Sequence, residues 1–92
     1  MDDVNDLVNR IEAALATVQR TLDLLTARGH NEAAFEIARL QFSANMRASW
    51  PGNLGPLAGC LEATAANASL TLSDEERVAA REAAVVLRTM LA

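Results

Sequence analysis

Two side chains in this sequence could drive chemistry by themselves, His30 and Cys60, and neither has a second reactive group at a useful spacing. His30 is the sole histidine, the one side chain whose ordinary titration falls near neutrality, so any general acid–base mechanism would lean on it. It stands in the short Gly29-His30 turn with Glu32 two residues on, and it reads as an exposed linker histidine rather than a base or ligand. Helices bind metals through pairs such as Glu-x-x-His or His-x-x-x-His on one face, and a lone histidine between helices supplies neither. No metal site and no cofactor are expected. Cys60 falls beside Leu57 and Leu61, an apolar setting that raises a thiol pKa, and is read as a small core residue. No serine lies in a Gly-x-Ser-x-Gly elbow, and Gly52-x-x-Gly55 lacks the Lys and Ser/Thr of a phosphate loop. The inventory therefore predicts a protein that is not an enzyme.

Binding is the alternative, and the few large side chains mark where it would occur. Trp50 is the only tryptophan and sits in a Pro/Gly-rich stretch after a segment bearing Phe35, Phe42 and Met46. These four residues form a candidate pocket or anchor, because aromatic residues in loops either plug the end of a core or present themselves to a partner. A second candidate lies at the start of the chain. Apolar residues recur there at Val4, Val8, Ile11, Leu15, Val18, Leu22 and Leu25, a 3.5-residue repeat held over three heptads.

That repeat predicts a first helix over about residues 2–28, with Asp and Asn at its start and Arg28-Gly29 as its stop. Leu7 and Ala14 broaden the stripe towards the face of a bundle helix rather than a two-stranded zipper. Asn31 is expected to cap a second helix over about 32–47, whose apolar set of Phe35, Ile37, Ala38, Leu40, Phe42 and Met46 wraps more than half its circumference. Residues 49–56 form a loop, and Pro56 is expected at the first position of a third helix over about 56–69. Ser73-Asp74-Glu75-Glu76 is a capping box that opens a fourth helix over about 74–91, lined with Ala79, Ala80, Ala83 and Ala84.

Composition agrees. Nineteen alanines against three aromatic residues favour helix throughout, and 92 residues allow one core in a single domain spanning 1–92. The fold expected is all-α, a small antiparallel four-helix bundle with a long first helix. A net charge of −4, with the arginines scattered from Arg10 to Arg88, argues against nucleic acid as a partner. The start carries no signal-peptide pattern, no long apolar run spans a membrane, and a single cysteine forms no internal disulfide, so a cytoplasmic setting is expected. Arginine without lysine points to a GC-rich bacterial genome.

The long first helix suggests the function. If it outreaches its shorter neighbours, Val4, Leu7, Val8, Ile11 and Leu15 are the candidate interface for a homodimer. The expected role is a non-catalytic helical protein–protein interaction and self-association module, suited to an acidic adaptor or small chaperone. The alternative is a ligand-binding bundle with an apolar pocket near Trp50, Phe42 and Met46.

Overall fold

A computed structural model describes the backbone of residues 2–44 and 54–89, and the side chains of residues 5–43 and 54–89. It contains four helices, α1 (Asp2–Ala27), α2 (Asn31–Ala44), α3 (Leu54–Ala66) and α4 (Asp74–Thr89), each packed against its two neighbours in a closed ring. Successive helices run antiparallel, as the cross-contacts of Gln41 with Gln19 and of Arg28 with Glu76 require. The protein is therefore an all-α, antiparallel four-helix bundle.

The signals that end α1 and begin α4 act as their sequences imply. Gly29 adopts a left-handed φ of 82°, the amide of His30 reaches back to the carbonyl of Leu25 at 2.8 Å, and that of Gly29 to Thr26 at 3.2 Å. This is a Schellman ending, which satisfies carbonyls that no further helical turn can reach. At the start of α4 the Ser73 hydroxyl accepts from the amide of Glu76 at 3.1 Å, and the Glu76 carboxylate accepts from the amide of Ser73 at 2.7 Å.

Three boundaries differ from expectation. The carbonyl of His30 accepts the first helical bond of α2 from Ala34, so His30 rather than Asn31 holds the capping position. Helix α3 begins at Leu54, ahead of Pro56, since no amide in a first turn has a helical acceptor and proline is tolerated throughout it. It also stops at Ala66, where the Asn67 side chain accepts from the amide of Ser69 and folds the chain into a turn.

The core is built on Val18 and Leu25 of α1, Ile37 of α2, Leu54, Leu57 and Leu61 of α3, and Leu87 of α4, all fully buried. Ala14 and Thr21 are also buried, whereas Leu15 and Leu22 lie at the core's edge. The inward face of α1 is thus shifted from the heptad seam towards α4, whose buried Ala80, Ala83 and Ala84 leave room for close approach. Thr21 enters this seam by donating its hydroxyl to the carbonyl of Thr17 at 2.8 Å.

Helix α2 departs most from the sequence reading. Ala34 and Ile37 are buried, but Phe35 and Phe42 are each 66% exposed. At about 100° per residue, both phenylalanines fall on the side of the helix opposite Ile37. Among the described residues α2 packs chiefly on α1 and α3, so one arc of it faces inward and the phenylalanines lie outside that arc. Met46, Trp50 and most of the loop over 49–56 lie outside the described residues.

The end of the bundle where α1 gives way to α2 and α3 to α4 is tied by two arginines. Arg77 donates to the carbonyls of Ala65 (2.9 Å), Asn67 (2.9 Å) and Leu70 (2.7 Å), collecting the exit of α3. Arg28 donates to the carbonyl of Thr71 at 2.6 Å and grips both oxygens of Glu76 at 2.7 and 3.0 Å. The Arg28 guanidinium, followed by the Ser73 amide, holds the Glu76 carboxyl at a pKa of about 2.

These local devices generate two predictions. Gly29→Ala should destabilise the fold by about 1 kcal/mol, lowering the melting temperature by about 4–8 °C. A Cβ there meets no atom within 4 Å, so the cost is that of the left-handed backbone alone, and an unchanged melt by circular dichroism would refute the Schellman assignment. The depressed pKa of Glu76 contributes stability that is fully present above its ordinary value of 4.5 and lost as pH falls from there through about 2. Glu76→Gln should therefore lower stability at neutral pH and flatten the loss between those limits. Urea midpoints measured across that range check both effects.

Candidate functional site

The first described turns of α1, the longest of the described helices, lie exposed. Its 26 residues span about 39 Å, against about 20 to 24 Å for the other three helices, and the longest molecular dimension is 42 Å. Residues 5–10 are all exposed, whereas burial begins at Ile11. Leu7 is 39% exposed and Val8 46%, both large apolar side chains in contact with water. Leu15 is half-buried at the edge of the core, and the side chain of Val4 lies outside the described residues. Of the interface candidates the structure thus makes Leu7 and Val8 accessible, leaves Leu15 partly so, and assigns Ile11 to the core.

This helix is not bare along its whole length. Arg10, Ala13, Ala14 and Thr17 of α1 share a shallow groove with Ala79, Glu82, Ala83 and Val86 of α4. Helix α4 therefore accompanies α1 towards its start on one side. On the α2 side, Gln41 donates to the Gln19 side chain at 3.2 Å.

Of the second candidate set, Phe35 and Phe42 point outward to solvent. Phe35 stands over a surface concavity shared with Asn31, Glu32 and Glu36. Met46 and Trp50 lie outside the described residues.

His30 is engaged structurally rather than free in a linker. Its Nε2 accepts the backbone amide of Thr71 at 3.0 Å and lies 3.1 Å from the Thr71 hydroxyl. The ring sits at the wall of an open polar hollow with Glu32, Glu36 and Asn67. Cys60 is partly rather than fully buried, and that burial pushes its thiol above the ordinary range, with the Thr64 hydroxyl opposing in part. At neutral pH it stays a thiol, the poorly nucleophilic form.

Sequence reasoning missed the functions of Arg28, Arg77 and His30, whose partners are remote in the chain. The exposure of Phe35 and Phe42 had no comparable signal, because apolar residues surround α2 and nothing in its own sequence marks Ile37 as the inward side. Among the described residues no group of three or more His, Cys, Asp or Glu side chains is placed to hold a metal ion, and no helix is long and apolar enough to cross a membrane. Comparison with protein-family models, with curated proteins and with solved structures returns no match to this chain.

Proposed function

We propose that this domain is a non-catalytic interaction module that self-associates through the exposed stripe of α1. The observation that carries the reading is the exposure of Leu7 and Val8 on the longest of the described helices. Leu7 follows the inward phase of Ile11, Ala14 and Val18, so a second copy of α1 would continue a face the fold already uses. A two-fold pairing buries the same stripe on both chains and is the commonest closed arrangement.

The chemistry of the remaining reactive groups supports a binding role. One ring nitrogen of His30, Nε2, is committed to Thr71, and burial favours the protonated form of Cys60. An acidic chain of net charge −4 suits an adaptor or small chaperone for a protein partner better than a nucleic-acid reader. A cytoplasmic, bacterial setting fits the single cysteine and the arginine-only basic residues.

Covering Leu7 and Val8 recovers about 1 kcal/mol for each side chain, so these residues alone support weak association. Sedimentation equilibrium from about 10 µM to about 1 mM, where a few kcal/mol suffices to pair the chains, tests the proposal. The mass should rise from 9.8 kDa towards twice that value with concentration. Leu7→Asp/Val8→Asp should hold it at the monomer value while circular dichroism stays unchanged, since both side chains are exposed. A wild-type mass of 9.8 kDa throughout overturns self-association.

A further inference from the structure

The outer face of α2 carries the most exposed large apolar side chains among the described residues, Phe35 and Phe42 at 66% each. They are seven residues apart, two helical turns, which sets them about 10 Å from one another on one line along the helix. Ala38 lies between them on the same side and leaves a notch the width of one side chain. A ridge of two rings around a small residue matches a partner helix that presents apolar anchors at i, i+3 or i+4, and i+7.

The margins of the ridge are acidic. Glu32 and Glu36 share the concavity beneath Phe35. Along the seam with α1, Gln41 donates to Gln19 and Gln19 donates to the carboxylate of Asp23 at 3.0 Å, which fixes that acid beside α2. The base on this face, Arg39, is bound to Glu36 at 2.9 Å, and that bond holds the Glu36 carboxyl below its ordinary pKa. Glu32 and Asp23 then set the sign of the field on either side of the rings.

We propose that this face docks a basic amphipathic helix of another protein, its apolar stripe on Phe35 and Phe42 and its Lys or Arg flanks against Glu32 and Asp23. A second copy of this chain fits less well. The two-fold axis of an antiparallel helix pair brings like edges together, so each acidic margin would meet itself. The inference is independent of the α1 stripe, which lies at the other end of a different helix.

The test uses an 18-residue helical peptide with leucine on one face and lysine elsewhere, and a second peptide with glutamate in place of lysine. Both are titrated into the whole chain at about 150 mM salt, where long-range attraction between exposed charges is largely screened. The lysine peptide should bind and the glutamate peptide should not. Phe35→Ala/Phe42→Ala should weaken binding by about tenfold or more, and Asp23→Asn/Glu32→Gln by about threefold. Because all four side chains are exposed, each variant should retain the wild-type circular dichroism spectrum. Absence of binding by the lysine peptide, or equal binding by the phenylalanine variant, overturns the proposal. So does loss of self-association in that variant, which would assign the ridge to a second copy.

Discussion

A helix that ends against its neighbours leaves carbonyl groups that no further turn can satisfy, and their need for donors governs how the closed end of this bundle is built. Arg77 meets that need for α3, since its guanidinium spans the carbonyls of Ala65, Asn67 and Leu70 and so fixes the path of the chain into α4. The Thr71 carbonyl just beyond is taken by Arg28 from the end of α1, and the Thr71 amide by His30. A planar group with five donors is suited to this work in a way that an ammonium is not. Once these carbonyls are satisfied, Ser73 and Glu76 can start α4 at a fixed position, and the alanine face of α4 meets α1 in register.

The same economy explains the surface. A bundle of this length with an alanine-rich seam buries few large side chains, and among the described residues its core closes on seven fully buried Leu, Ile and Val residues. Four helices of unequal length cannot cover each other completely. Apolar groups are left over at Leu7 and Val8 near the start of α1 and where α2 turns its outer arc to water. Scattered single leucines on a surface need no explanation, but paired side chains on one helical line form a continuous strip.

What the sequence made legible was local. The stop at Gly29, the box at Ser73 to Glu76 and the heptad rhythm of α1 each depend on residues within a turn or two of one another, so spacing is enough to read them. The inward shift of α1 towards Ala14 and Thr21 was only half legible, because the broadened stripe was visible but the small face of α4 that selects it lies some 60 residues away. The orientation of α2 was not legible at all from its apolar content, since Ala33, Ala34, Phe35, Ile37, Ala38, Leu40 and Phe42 surround the helix and no single arc dominates. Only the presence of α1 and α3 on one side decides it. Arg28, His30 and Arg77 looked like scattered surface residues because their partners lie across the fold. The interface candidates were legible as a stripe, but which members would be covered depended on where each neighbour stops.

The closed end also imposes an order in time. Helices α1 and α2 are joined by a turn of a few residues and α3 and α4 by a short connection, so each pair can form as a hairpin from contacts near in sequence. The bonds of Arg28 to Glu76 and of Thr71 to His30 bridge separations of 48 and 41 residues, and ring closure of that length is entropically unfavourable until both hairpins exist. Loop-closure entropy therefore favours a docking of two halves in which Arg77, whose partners lie 7 to 12 residues away, closes within the second half and the Arg28 suture closes last and opens first.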